Sequence, residues 1–472
     1  MHDAGDVKPG SPFGGWLYAR PRDFVYERVF QAAQAFLRVE AASGIVLLVA
    51  AVVAMIWANS AWDDAYFDLW HTEVFVDANI FSLDLDLREW VNEGLMTLFF
   101  FLMGLEIKRE LVHGELSSPR RALLPAAGAL GGTIAPALIY TAFNGGGEGA
   151  RGWGIPMATD IAFAVGVLSL LGSRIPFSIK VFLLALAIAD DIGAIIVIAV
   201  FYSSGIDYLA LGLAVAALAA ILTMNRAGVR NVEVYTVMGA VLWLTLLESG
   251  VHATISGVVL GLMTPATSFY GRATFIEDAE DLVNRFRAAQ QSGDEELQRG
   301  ILLQMEDLSQ GTEAPLDRLE RALHPWVSFL VVPLFALANA GVHISGDVAD
   351  AAVESSISQG VLIGLVVGKP LGIFLLAWLA VKLRLCDMPA GATWVQILGI
   401  GMLGGIGFTV ALLITDLAFD SEALIEEAKL GVLAASIVAG VLGFAFLWVT
   451  TRNRPTANAE PELGSQGQGA GA

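Results

Sequence analysis

Four side chains in this sequence carry charge inside long apolar runs: Asp160, Asp190, Asp191 and Lys369. A charge at the centre of a bilayer costs about 2.5–3.5 kcal/mol on insertion scales, so such residues mark ion pathways or pair with one another. Asp190 and Asp191 sit side by side in ALAIADDIGAIIVIAV, with apolar residues on both sides. Lys369 lies in VLIGLVVGKPLGIFLLAWLA, about 13 Å into its run at the helical rise per residue. The depths are similar, so the lysine and the aspartate pair can meet near the midplane. An ion pair that only fixes helix packing would account for one Asp and one Lys. It does not account for three carboxylates and one ammonium, since one lysine cannot neutralise three acids. Protons or metal cations are the candidates for the remaining positive charge. Adjacent residues on a helix point about 100° apart. One of the two aspartates can therefore face the lysine while the other faces a cavity.

The chemistry constrains the cavity-facing member. An ordinary Asp, with a pKa near 3.9, holds a proton in only about one molecule in a thousand at pH 7. The proton carrier must then be the aspartate whose surroundings differ most from water and which lies away from the ammonium.

The elements that position these residues are membrane spans. The chain is 56% hydrophobic and 16% charged over 472 residues, well short of the charged fraction of soluble domains. Runs long enough to cross a bilayer core fall near 41–59, 90–106, 122–143, 152–172, 176–203, 207–224, 232–248, 251–265, 326–343, 358–381, 392–416 and 428–450. Two of them are interrupted. GWGIPMATDIAFAVG places Pro156 and two glycines ahead of Thr159 and Asp160, and MLGGIGFTVALLI places Gly404, Gly405 and Gly407 ahead of Thr409. Breaks at membrane depth are tolerated where protein or a water-filled cavity satisfies the freed backbone groups. Close helix packing by glycine would explain the second segment alone, but not the Gly, Ile and Thr pattern shared by both. A carboxylate such as Asp160 would offset exposed helix N-termini, and Lys369 exposed C-termini. Each broken segment is the middle member of a triplet of spans, and an odd number of spans per triplet inverts the second copy. Paired interruptions in corresponding positions point to a transporter binding site.

Orientation follows from positive charge. With the amino terminus in the cytoplasm, only Arg88, Arg151 and Lys429 of the 27 Lys and Arg fall in outside loops, and Lys369 lies within a span. Both termini are then cytoplasmic. Residues 1–40 form a polar N-terminal segment without a convincing cleavage site, so no signal peptide is expected. Residues 72–87 alternate apolar and polar positions around Asp77, Ala78 and Asn79 and read as a β-hairpin. The charged stretch 267–324 reads as a helical cytoplasmic insert, and the tail 451–472, rich in Gly, Gln, Pro and Glu, as disordered. The net charge of −20 sits mainly in the connections and argues against nucleic acid as a partner. The single Cys386 excludes an intramolecular disulfide.

These strings, together with SGVHATISGVVLGL, LHPWVSF, LANAGV, GKPLGI and GGIGFTVAL, resemble the NhaA-type sodium/proton antiporters of bacterial inner membranes, which are themselves among the type examples of the inverted-repeat architecture. The resemblance spans about residues 40–450. It implies an all-α polytopic membrane protein of about twelve transmembrane helices, with inverted three-helix repeats, two broken helices crossing at mid-membrane and a small periplasmic β-hairpin. The transmembrane domain is 41–450. It implies that Asp190 and Asp191 bind the transported Na+ and H+, that Lys369 partners Asp190, and that Thr159, Asp160 and Thr409 lie at the crossing. Li+ is a second expected ion, no cofactor is expected, and the lipid bilayer and a second copy joined through the 72–87 hairpin are the expected partners. The family's cytoplasmic pH-sensing region resembles Glu106, Arg109 and Glu110 in GLEIKREL with Glu320 and His324 in LERALHP, and His252 matches a family histidine. On its chemistry alone His252 reads as a hydrogen-bonded packing residue near a helix end. Two departures bear on the pH set point: Arg321 stands where the family pattern has a second histidine, and the acidic insert is long.

The expected mechanism has Asp191 as the competitive site, Asp190 as the lysine-linked one, and sodium binding only to deprotonated carboxylate. More than one proton moves per sodium if Lys369 or Asp190 also releases one. A sodium-coupled organic-solute symporter is the alternative, but it calls for a larger polar pocket. An intramembrane aspartyl protease needs aspartates on separate helices and a Gly-x-Gly-Asp string, which is absent.

Overall fold

The computed structural model describes residues 42–77, 82–203, 205–229, 232–268, 271–344 and 353–452. The N-terminal segment, the hairpin turn and the tail from 453 onward lie outside the described residues.

Helix α1 (Ala42–Ala58) bends by 116° into the short α2 (Asp63–Trp70). Strands β1 (Glu73–Asp77) and β2 (Ser82–Asp86) pair antiparallel, Glu73 opposite Asp86 and Asp77 opposite Ser82. Asp86 and Glu89 form a reciprocal capping box, and a π-helical turn at Trp90–Leu95 leads into α3 (Met96–Val112). Next come α4 (Pro119–Asn144), a 3-10 helix at Glu148–Met157, and α5 (Ile161–Ser169), the last two bent by 43° at their junction. Helices α6 (Phe177–Phe201), α7 (Tyr208–Arg226), α8 (Val232–Glu248) and α9 (Thr254–Met263) follow. The charged insert forms α10 (Arg272–Ser292) and α11 (Glu295–Thr312), which share a small core of Leu282, Ala289, Ile301 and Leu308. The chain ends with α12 (Pro315–Asn339), α13 (Ser356–Lys382), the pair α14 (Trp394–Gly404) and α15 (Phe408–Ala418) bent by 47°, and α16 (Glu422–Thr451).

The molecule is a multi-pass membrane protein. Among the described residues α4, α6, α7, α12, α13 and α16 are each long and apolar enough to cross a bilayer, and three bent pairs qualify when each pair counts as one span. The exterior is apolar: Leu138, Val200, Ile437 and Val449 are all more than half exposed, as hydrocarbon rather than water would require.

Small residues bring the helices that carry the charges together. A Cβ on Gly104 of α3 would lie 2.6 Å from the Val258 carbonyl oxygen of α9. A Cβ on Gly131 of α4 would run into the carbonyl of Gly372 on α13, and one on Gly372 into that of Gly131. Such backbone approach is the packing mode of membrane helices, and it sets Lys369 of α13 beside α4. Two boundaries differ from the sequence reading. The ninth apolar run begins near 326, but the helix begins at Pro315, a favoured first helical residue, and its first turns carry Glu320 and His324. Lys429 lies in α16 and is buried, not in an outside loop.

Candidate functional site

The two helix breaks touch, and Asp160 joins them. Its backbone N–H donates to the Ile406 carbonyl at 2.7 Å. Its Oδ1 accepts the Phe163 N–H at 3.0 Å, which caps α5. Its Oδ2 accepts the N–H and the hydroxyl of Thr409 at 3.1 and 2.7 Å, near the start of α15. One carboxylate thus meets the positive ends of both half-helices, where anions are stabilising. The Thr159 hydroxyl lies 2.9 Å from the Gly404 carbonyl, at the end of α14, and 2.8 Å from Oδ2 of Asp190. Its single proton serves one of them at a time. Lys369 Nζ donates to the carbonyl of Met157, the last residue of the 3-10 half, and to Asp190 Oδ2 at 2.7 Å. The negative end of that half therefore meets a cation.

The adjacent aspartates have opposite surroundings. Asp190 holds Lys369, Thr159 and, at 3.5 Å, the Thr133 hydroxyl. Asp191 is 1% exposed, and neither of its carboxylate oxygens has a hydrogen-bond partner among the described residues. Asp191 borders a cavity whose wall also includes Thr159, Asp160, Thr409, Glu106 and Ser43. The wall is otherwise mostly apolar, with Leu47, Phe99 and Val332 among its residues. Carboxylate, hydroxyl and backbone oxygens are the donors that hard cations prefer. Among the described residues no group of three or more His, Cys, Asp or Glu is placed to hold a metal.

The residues resembling a pH-sensing region divide into three places. Arg109 pairs with Glu320, and the buried His324 follows one helical turn later. Glu110 accepts the Glu115 N–H at 2.9 Å. Glu106 is buried in the cavity wall. Arg321 is mostly exposed and pairs with Glu313 of the insert at 2.6 Å. His252 stands apart from all of these. Its Nδ1 lies 3.4 Å from Glu93 and its Nε2 3.0 Å from the Tyr202 carbonyl. Glu93 precedes the start of α3 and Arg109 is near its end, so about 24 Å of helix separates the two sites.

Sequence reasoning passed over a further cluster, in which Asp416 of α15 takes both Arg88 and Lys429. The signal was present: Asp416 lies within the apolar run 392–416, and Lys429 within 428–450.

The sequence profile of the family described as Na+/H+ antiporter 1 matches residues 34–447. The chain is 47% identical over 436 residues to the Na(+)/H(+) antiporter NhaA 2 of Sorangium cellulosum, covering 92% of each chain. It is 47% identical to the Na(+)/H(+) antiporter NhaA of Oleidesulfovibrio alaskensis, covering 90% of this chain and 94% of that one. It is 46% identical to the Na(+)/H(+) antiporter NhaA of a Janthinobacterium species, covering 92% and 96%.

Proposed function

This chain belongs to the Na+/H+ antiporter family, and on that premise we propose that it moves cytoplasmic sodium outward against external protons by letting the two ions compete for Asp191. The family is one of secondary transporters, not enzymes; Na+ and H+ are its cargo and it needs no cofactor.

One observation carries the proposal: of two neighbouring aspartates, Asp190 has the Lys369 ammonium and two threonine hydroxyls beside it, while Asp191 borders the cavity and neither of its oxygens has a hydrogen-bond partner among the described residues. A proton or a sodium ion satisfies Asp191, and each excludes the other. Because the loaded carrier crosses in either form, exclusion alone produces exchange. Asp160, Thr159 and Thr409 position the breaks and offer oxygens toward the cavity. Asp190 joins the sodium shell when Lys369 releases it, and a proton leaving the lysine then makes the exchange exceed one H+ per Na+. Each net charge moved responds to the membrane potential by about 2.3 kcal/mol per 100 mV. Li+ fits the same oxygen chemistry.

The same reading gives twelve spans within 41–450, inverted triplets around the two breaks, and both termini in the cytoplasm of a bacterial inner membrane. It places the 1–40 and 451–472 segments and the 267–324 insert on the cytoplasmic side. The Arg109–Glu320 pair, with Glu106, Glu110 and His324, then lies at the cytoplasmic end, where internal pH acts, and His252 acts at the opposite end. A homodimer joined through the 72–87 hairpin fits the open edges of a two-stranded ladder.

The test is sodium-dependent dequenching of a pH-sensitive dye in vesicles containing the protein, run with and without a panel of organic solutes. Sodium alone is expected to move protons. Sodium flux that requires a solute and moves no protons would establish the symporter instead.

A further inference from the structure

The Asp416 cluster lies at the end of α3 opposite Arg109. Oδ1 of Asp416 accepts from Arg88 Nη2 at 2.8 Å and from Lys429 Nζ at 3.0 Å, and Oδ2 accepts from Asn92 at 3.3 Å. Asn339 closes the network: its Oδ1 accepts from Arg88 Nε at 3.0 Å and its amide donates to Asn92 at 2.7 Å. The Lys429 and Asp416 side chains are 4% and 12% exposed. One carboxylate thereby ties together the approach to α3, the last turn of α12, the end of α15 and the first turns of α16. It sits about two helical turns beyond Thr409 on the half-helix that Asp160 caps.

The cavity bordered by Asp191 is lined by residues outside this network. It is lined by Ser43 near the start of α1, by Phe99, Met103 and Glu106 along α3, and by Val327 and Ser328 at the middle of α12. The cavity wall thus reaches Glu106, three residues from Arg109, and includes none of the residues of the Asp416 network, whose ion pairs hold the helices together at the opposite end of α3.

We propose that the Asp416 network is a latch that closes the Asp416 end of the transport path while Asp191 faces the Arg109 end, and that its ion pairs part when the path opens the other way. Ion pairs suit such a role because each charge regains water on opening, so the open state recovers the desolvation cost that the closed pair carries. Neutralising Asp416 leaves the buried Lys429 and the half-buried Arg88 without their shared carboxylate, and this favours the open, hydrated arrangement. A shift in that population changes sodium affinity in opposite senses at the two faces.

The latch rests on the antiport reading and its orientation, and sidedness separates the two. Ile414, fully buried two residues before Asp416, is replaced by cysteine in a Cys386→Ser background. A membrane-impermeant maleimide is then applied to either face of vesicles. Asp416→Asn should raise labelling from the external face by roughly tenfold. It should also lower half-saturating sodium at that face and raise it at the other. Arg88→Gln, which leaves Asp416 with Lys429, should act in the same direction more weakly and serves if Asp416→Asn does not fold. Labelling that rises from the cytoplasmic face would overturn the orientation. Unchanged labelling, with sodium affinity unchanged or shifted equally at both faces, would overturn the latch.

Discussion

The crossing of the broken helices and the Asp416 network are both made of buried carboxylates and cations, but they differ in completeness. At Asp416 each carboxylate oxygen has donors from neighbouring helices. At the crossing Asp160 and Asp190 also have donors beside them, yet among the described residues Asp191 has no hydrogen-bond partner and borders a cavity. Matched buried charge binds helices to one another, and removing one partner costs far more than the pair contributes. Unmatched charge beside a cavity has a different use, because only an incoming cation or proton can satisfy it. On the proposed reading, completeness of partners, more than burial or charge alone, separates the part that holds from the part that exchanges.

The sharpest way to break that distinction is Asp191→Asn. It should abolish sodium-driven proton movement with insertion and melting unchanged, since an amide holds neither charge nor exchangeable proton; robust exchange in vesicles would refute it. Lys369→Gln attacks a matched charge and should act mainly on stability. Removing one partner of a buried pair costs about 3–5 kcal/mol, so melting in detergent should fall clearly and the response to membrane potential should alter. Unchanged melting would mean that Asp190 and Lys369 do not depend on each other.

Glu320 is an intermediate case, with one oxygen on Arg109 and the other without a hydrogen-bond partner among the described residues. Glu320→Gln should move the pH profile of exchange more than its maximal rate. A lowered rate on an unmoved profile would remove the sensing role. The smallest effect on exchange is expected from deleting residues 72–87. The variant should be a monomer that still exchanges but melts earlier; persistence of crosslinked dimer would reject the hairpin as the interface.

Much of this was legible in the sequence because charge and glycine stand out in apolar runs. The four intramembrane charges, the two breaks and the split between Asp190 and Asp191 all follow from cost and helical angle. The double cap by Asp160 was not legible in full. It depends on the register between segments 249 residues apart, which no local pattern encodes. Glu106 reads with Arg109 and Glu110 as part of an inner-face string, yet its position on α3 turns it into the cavity wall. Lys429 and Asp416 were passed over because each lies where an apolar run begins or ends. There a charge ordinarily marks the boundary, and only packing against α3 and α12 makes it a buried network.

The measurement closest to the central claim is the half-saturating sodium concentration of the unmodified protein as a function of pH. If the two ions compete for Asp191, that concentration rises by about tenfold for each unit of acidification over the range where the carboxylate is protonated, and saturating sodium restores the full rate. A half-saturating concentration that does not change with pH, with only the maximal rate falling, would show that sodium and protons do not share Asp191.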